Sequence, residues 1–168
     1  MTKNEAASFD IAVDFIWAIG IPVIFAELPP DTFLPGALIQ NGQLIIDKSQ
    51  LRYPGDILHE AGHIAVVPAS ERATLHNDNI PLRMQREGEE MMAVAWSYAA
   101  CLYLDLDPHF VFHEHGYKGN GKKIAANFDN GGMFGVSMLQ YAGMSAEPGK
   151  ADHHGLPEFP DMARWLRA

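Results

Sequence analysis

Residues 54–68 read PGDILHEAGHIAVVP and contain the H-E-x-x-H pattern at His59, Glu60 and His63. Positions four apart lie one turn above each other on an α-helix, so the two imidazoles share a face and can bind one metal ion. Glu60 projects about 100° further around the helix, beside the open coordination position of that metal. The arrangement is typical of a metal hydrolase: two neutral nitrogen ligands, a vacant position for water, and a carboxylate that accepts the proton of the water.

The residues that flank the pattern favour a buried helix. A turn at Pro54 and Gly55 precedes it, Asp56 is a candidate N-cap, and Pro68 ends it. Two histidines and a glutamate are costly to bury among apolar side chains unless a partner satisfies them, and a metal ion would do so. The alternative is a helix whose histidines bind backbone carbonyls and whose glutamate pairs with an arginine.

The composition is that of a globular protein, not of a disordered or fibrous one. The chain has 168 residues, of which 48% are hydrophobic and 20% are charged, and this fits a single domain over residues 1–168. Twelve basic and 21 acidic residues give a net charge of −9, which argues against nucleic acid as a partner. One cysteine excludes an internal disulfide.

The N-terminal region predicts neither export nor insertion into a membrane. Residues 1–10 are charged and lack the apolar segment of a secretory signal. Residues 11–25 are apolar, but Asp14, Gly20 and Pro22 interrupt a stretch that is already shorter than the ~20 residues of a membrane span. We therefore expect a cytoplasmic protein without a membrane partner.

The order of the other segments predicts an α+β fold. Residues 37–47 read as a hairpin in which Asn41 and Gly42 form the turn. Residues 81–106 read as a long core helix. Its start can lie as late as Glu87, because Gly88 weakens the first part of the helix. We expect a small antiparallel or mixed sheet whose edge hairpin packs on the H-E-x-x-H helix and on the core helix. This core covers about residues 35–105, and residues 107–168 form an extension, with a strand at 111–115.

A catalytic zinc site usually has three protein ligands, so a third must be found. The extended pattern with a third histidine is excluded, because positions 66 and 69 are Val66 and Ala69 rather than glycine and histidine. Glu89 and Glu90 open the core helix and are the alternatives. We favour Glu90, because small side chains follow it on its own face of the helix and would let the two helices approach closely. These side chains are Ala93, Val94, Ser97 and Cys101.

The H-E-x-x-H helix, the preceding hairpin and the glutamate of the next helix together resemble a minimal zincin of the gluzincin type, similar to the ImmA/IrrE-like metallopeptidase domains. The matching residues are His59, Glu60 and His63 with Glu90 or Glu89, and the resemblance covers roughly residues 35–105. It implies one zinc ion per chain, peptidase chemistry and a peptide or protein substrate. It also implies that an edge strand at residues 43–47 lines the substrate cleft.

The predicted mechanism assigns a role to each of these residues. Zinc held by His59, His63 and Glu90 would lower the pKa of its bound water to ~7, and Glu60 would accept the proton as the water attacks an amide carbonyl. A hydrogen-bond donor is also needed for the developing oxyanion. His113, His115 and Tyr117 are the candidates, although all three also fit exposed loop positions.

Other interpretations stay open on the sequence alone. The domain can be a zincin scaffold without catalysis, in which metal is structural or absent and the chain regulates or binds a partner. A separate metal site can involve His113 and His115, or Asp152, His153 and His154. A di-iron site is excluded because a second E-x-x-H is missing. A homo-oligomer is neither indicated nor excluded.

Overall fold

The computed structural model describes the backbone of residues 1–168 and the side chains of all of them except His154. It has the predicted α+β class, with seven α-helices and three strands in the described residues. The strands are β1 (Val23–Phe25), β2 (Ala37–Gln40) and β3 (Gln43–Ile46). The helices are α1 (Lys3–Ala18), α2 (Asp56–Val66), α3 (Ala69–Arg72), α4 (Arg86–Tyr103), α5 (Gly121–Asp129), α6 (Val136–Tyr141) and α7 (Ala151–His154).

The sheet is mixed and has the strand order β1-β3-β2. β2 and β3 form the predicted antiparallel hairpin, and Asn41 and Gly42 adopt φ values of 54° and 67° in its two-residue turn. β1 pairs in parallel with the other side of β3. The expectation that residues 43–47 form an edge strand is therefore wrong, because β3 is hydrogen-bonded on both sides.

The outer edge of β2 is also occupied at its centre. The Ile39 amide donates to the Asn77 side chain, and the Asn77 amide donates back to the Ile39 carbonyl. The Ala37 amide donates to the Leu34 carbonyl. A peptide that added a strand to β2 would have to displace these bonds, so neither strand of the hairpin offers a free edge of useful length.

The centre of the molecule is the contact between α2 and α4. Almost every residue of α4 from Met92 to Cys101 is buried, and Trp96 is fully buried. A Cβ atom at Gly62 of α2 would lie 3.1 Å from the carbonyl oxygen of Ala93 and 3.3 Å from its Cα. The two helix backbones therefore approach each other closely, and they do so where one helix carries a glycine.

The hydrophobic core also includes residues of the predicted extension. Phe112, Phe128, Val136 and Leu139 are all buried in it. Trp96 Nε1 donates a hydrogen bond of 2.9 Å to the carbonyl of Trp165, which ties the C-terminal segment to α4. No described helix is long and apolar enough to cross a membrane. The division of the chain into a core and an extension stays a prediction.

Two local expectations about the start of α2 and its surroundings are wrong. Gly55 is the N-cap of α2, and Asp56 is its first residue, with its carboxylate bound to His113 instead of to the helix end. Residues 111–115 form turns instead of a strand, after a 3₁₀ turn at Pro108–Phe110. The physical reason is the same in both cases: the Phe110 carbonyl lies where Gly55 would carry a Cβ, and this contact brings residues 110–113 against the start of α2.

We predict that two glycine-to-alanine substitutions in helices have different effects. Alanine is favoured over glycine by about 1 kcal/mol inside a helix, but Gly62→Ala places a methyl group against the rigid backbone of Ala93. We expect it to lower the free energy of unfolding by about 1–3 kcal/mol. In Gly88→Ala the new methyl group meets only the flexible end of Met138, so stability changes little or rises. Urea unfolding of both variants tests this, and a Gly62→Ala variant as stable as the wild type contradicts the packing argument.

Candidate metal centre

Two histidines of α2 and one glutamate of α4 meet on the surface between these helices. His63 Nε2 lies 3.3 Å from one carboxylate oxygen of Glu90, and His59 Nε2 lies 3.6 Å from the other. The three ligand atoms all lie within 4.8 Å of one another. Tetrahedral zinc, with bonds of about 2.0–2.1 Å, holds its ligand atoms roughly 3.4 Å apart. These three residues can therefore hold a metal ion with little rearrangement.

The histidines are in the protonation state that a metal requires. Burial, with a smaller contribution from His63, lowers the pKa of His59 well below its ordinary value. Burial lowers the pKa of His63 to about 4. Both rings are therefore neutral at pH 7, and their contacts with Glu90 are not ion pairs between charged groups. Burial raises the pKa of Glu90, so this carboxylate would gain from a cation placed between it and the rings.

Glu60 is buried beside the three candidate ligands, with 7% of its surface exposed. Burial raises its pKa to about 8, and the nearby charges of Asp56 and Glu90 add to the increase. A cation in the site would favour the ionised carboxylate and so would lower the pKa of Glu60 from this raised value. A carboxylate in this environment can accept and release a proton near physiological pH.

Glu89 has a different role from its neighbour Glu90. It is 3% exposed, and both of its carboxylate oxygens bind Arg83, at 2.6 Å and 2.8 Å. Arg83 also binds Glu71 of α3 at 2.7 Å. Successive residues on a helix differ in direction by about 100°, so when one glutamate faces α2 the other faces the segment before α4. Glu89 thus anchors the start of α4, and Glu90 is the one that lies at the histidines.

Tyr117 is the oxyanion candidate that lies closest to the histidines. Its ring contacts that of His59, with a centroid distance of 5.2 Å and an angle of 76°. Its hydroxyl is buried and has no hydrogen-bond partner among the described residues. Burial raises its pKa well above the ordinary value, and the charges of Glu90, Asp56 and Glu60 raise it further. A neutral hydroxyl among three carboxyl groups is available to donate a hydrogen bond to a bound ligand.

The other two oxyanion candidates are histidines, and both contact residues outside the group of candidate metal ligands. His113 Nε2 lies 2.9 Å from the Asp56 carboxylate, and its ring stacks on that of Tyr53 at a centroid distance of 4.0 Å. His115 is exposed and lies 3.4 Å from Glu114. Its ring is 5.7 Å from that of Tyr53. The structure therefore places both histidines beside Tyr53, and His113 is held there by a partly buried hydrogen bond to Asp56.

A cleft of about 510 Å³ lies over the candidate ligands and includes residues that the sequence interpretation missed. Asp56 is one of them, and its position four residues before Glu60, on the same helix face, was the signal that could have identified it. No sequence pattern pointed to the others, which come from the segment just before α2 and from two loops further away in the sequence. They are Phe33, Leu34, Pro35, Arg52, Tyr53, Gly116 and Lys118.

Among the described side chains, one group of three possible ligands meets, and it is His59, His63 and Glu90. His113 and His115 belong to no second group of this kind within those side chains. The separate site considered at Asp152, His153 and His154 falls partly outside the described residues, because it requires the side chain of His154. The candidate metal centre is therefore at α2 and α4.

Comparisons with known proteins give no relative from which a role could be transferred. Searches of family models, of curated proteins and of solved structures found no match to this chain. The chemistry of the site therefore rests on its own residues: two neutral imidazoles, a carboxylate that faces both, and a second carboxylate buried beside them.

Proposed function

We propose that the protein is a zinc-dependent hydrolase, and specifically a zincin-like metallopeptidase that cleaves amide bonds. The observation that carries the proposal is the meeting of Glu90 with both Nε2 atoms of the H-E-x-x-H histidines. Two histidines and one glutamate are the protein ligands of a well-known class of catalytic zinc site. Zinc bound there would act as a Lewis acid and supply a water molecule that ionises near pH 7.

Glu60 is the proton carrier in this proposal. Its carboxylate lies in the same cleft as the ligands and is largely removed from bulk solvent. It would accept a proton from the attacking water and then deliver that proton to the nitrogen of the leaving amine. The neighbouring carboxylate of Asp56 is bound to His113, and that of Glu60 is not. Glu60 is therefore the acid of α2 to which we assign proton transfer.

Tyr117 is the donor that we assign to the developing oxyanion. Its hydroxyl is buried, has no described partner and lies near the three carboxyl groups of the cleft. It would donate a hydrogen bond to the substrate carbonyl oxygen as negative charge builds there. His113 is less suited to this role because one of its ring nitrogens is bound to Asp56, and His115 is exposed and lies beside Glu114.

The substrate is held in the cleft and not on a strand edge. β3 is paired on both sides, and Asn77 occupies the centre of the outer edge of β2. The contacts that remain for a substrate are those of residues 33–35, 52–53, 113 and 115–118, which line the cleft around the candidate ligands. A peptide would therefore be recognised mainly through its side chains and termini.

We predict that the purified protein binds about one zinc ion per chain and that Glu90 and Glu89 differ in their effects. Glu90→Gln removes one ligand, so zinc affinity should fall by about tenfold or more, with little change in stability. Glu89→Gln leaves Arg83 without its buried partner, so the free energy of unfolding should fall by about 3 kcal/mol, while the folded protein still binds zinc. Metal analysis and urea unfolding provide both measurements. A wild-type protein that takes up no zinc, or two variants that lose it equally, would contradict the site.

We predict that Glu60→Gln separates metal binding from turnover. Glutamine has nearly the same shape but does not accept the proton, so the variant should bind zinc as the wild type does and lose at least about 10²-fold in the rate of peptide hydrolysis. The assay is mass spectrometry of a peptide library incubated with either protein. If the wild type and the variant leave the library equally intact, the scaffold has no peptidase activity and the proposal fails.

We predict that Tyr117→Phe lowers kcat by about 10²–10³ with little change in zinc affinity, because only the hydroxyl is removed and the ring still packs on His59. Tyr141→Phe is the matched control, since Tyr141 is 90% exposed and does not line the cleft. Steady-state kinetics on a cleaved library peptide give kcat and KM for each variant. An unchanged kcat in Tyr117→Phe shows that another group stabilises the oxyanion.

A further inference from the structure

Besides the candidate ligands and the groups assigned to the proposed reaction, the cleft contains an apolar segment and two cations. Phe33, Leu34 and Pro35 form an apolar segment, in which the Phe33 side chain is 93% exposed. Arg52 and Lys118 also line the cleft, and both are exposed to solvent. We call these two residues the cationic rim. An exposed aromatic side chain and two cations at one opening are features of a surface that binds a ligand.

The cationic rim is not neutralised by the protein. Acidic residues outnumber basic ones in this chain, 21 to 12, and several of its cations are in ion pairs. These are Lys48, Arg83, Lys122 and Lys150. Within the described part of the chain, neither Arg52 nor Lys118 forms such a pair. Both cations are therefore available for a direct contact with an anionic group of a ligand, in a cleft whose other charged groups are carboxyl groups and histidines.

Arg52 is supported by a series of packed side chains. Its guanidinium lies 5.6 Å from the centre of the Tyr53 ring, a cation–π contact. The Tyr53 ring stacks on His113, and His113 binds Asp56 in the first turn of α2. The position of the guanidinium is thus linked through three contacts to the helix that carries the candidate metal ligands.

Lys118 is held by a strained turn. Tyr117 and Lys118 have φ values of 53° and 56°, in the left-handed region that costs a non-glycine residue roughly 1 kcal/mol or more. Two such residues in succession persist only where the surroundings fix them. Tyr117 packs on His59 and Phe112, and these contacts provide that constraint. Lys118 therefore follows directly on a residue that is anchored at the metal centre.

We infer that the cationic rim binds a carboxylate of the substrate, so that the peptides recognised are those with an acidic side chain or a free C-terminus near the cleaved bond. The inference rests on the proposed function for the identity of the reacting bond. A guanidinium can bind both oxygens of a carboxylate, and a nearby ammonium adds a second charge-assisted bond. The apolar segment at residues 33–35 suits a hydrophobic side chain of the same peptide.

The test measures binding, so it does not depend on turnover. The probes are three hexapeptides of one sequence, all with a blocked N-terminus: one with an internal glutamate and an amidated C-terminus, its glutamine counterpart with an amidated C-terminus, and the glutamine peptide with a free C-terminus. Titration calorimetry is done in the Glu60→Gln background, with zinc and after chelation. We expect the two carboxylate peptides to bind about tenfold or more tightly than the neutral one, and comparison of these two peptides identifies which carboxylate is preferred.

Charge variants test whether the preference for a carboxylate peptide depends on the cationic rim. The double variant Arg52→Gln and Lys118→Gln should remove the preference and leave the affinity of the neutral peptide unchanged. Lys123→Gln, on the exposed surface of α5, is the matched control and should keep it. The inference is overturned if all three peptides bind equally, if none binds, or if the control variant loses the preference as well. Failure of the proposed function is seen separately, as absence of zinc uptake or of peptide cleavage by the wild type. In that case the titrations after chelation still test whether the cationic rim binds a carboxylate.

Discussion

The close contact between α2 and α4 determines where the three candidate metal ligands lie. Gly62 lies against the Ala93 backbone with no room for a Cβ at ordinary distance. His59 and His63 flank that glycine on α2, and Glu90 precedes Ala93 by about one turn on α4. Interior packing resists even small displacements, so the separation of the two helices also sets the 3.3 Å and 3.6 Å distances between the imidazoles and the carboxylate. The precision of the site is a property of the hydrophobic core and not of a flexible loop.

The same packing places several acids together in the cleft, where Asp56 and Glu60 are largely removed from solvent and Glu90 is half-exposed. The pKa values of Asp56, Glu60 and Glu90 are all raised, with burial as the largest cause in each case. For Asp56 the hydrogen bond to His113 opposes the shift. A raised pKa means that the folded state favours the protonated acid, so ionisation as the pH rises lowers the stability of the metal-free fold. A divalent cation reverses the sign of this effect, because it attracts the same carboxylates and binds the neutral histidines. The arrangement is electrostatically unfavourable without a cation and favourable with one.

The features that could be predicted from the sequence are those that depend on residues close together in the chain. The hairpin over residues 37–47 follows from the conformational needs of its Asn-Gly turn, and the choice of Glu90 depended on small residues that recur along one helix face. Features that depend on contacts between distant segments were not predictable. No local pattern tells which strand Val23–Phe25 pairs with, so its pairing with β3 was missed and the hairpin strand was wrongly given a free edge. The bond between Asp56 and His113 joins residues 57 positions apart, and no local rule favours that bond over a helix cap.

In the proposed function, residues 113–118 would supply groups for substrate recognition and for stabilising the oxyanion, and none of them is among the three candidate metal ligands. Tyr117 lies against His59, and Lys118 follows it in the same strained turn. His113 binds Asp56 of α2 and stacks on Tyr53, and Tyr53 in turn contacts Arg52. The candidate ligands come from α2 and α4, whose separation is set elsewhere, by Gly62. If the proposed function holds, changes in residues 113–118 would alter which substrate carboxylate is bound and how the oxyanion is stabilised, while the distances between the candidate ligand atoms stay the same. Loops that carry specificity on a rigid scaffold commonly divide these tasks in this way.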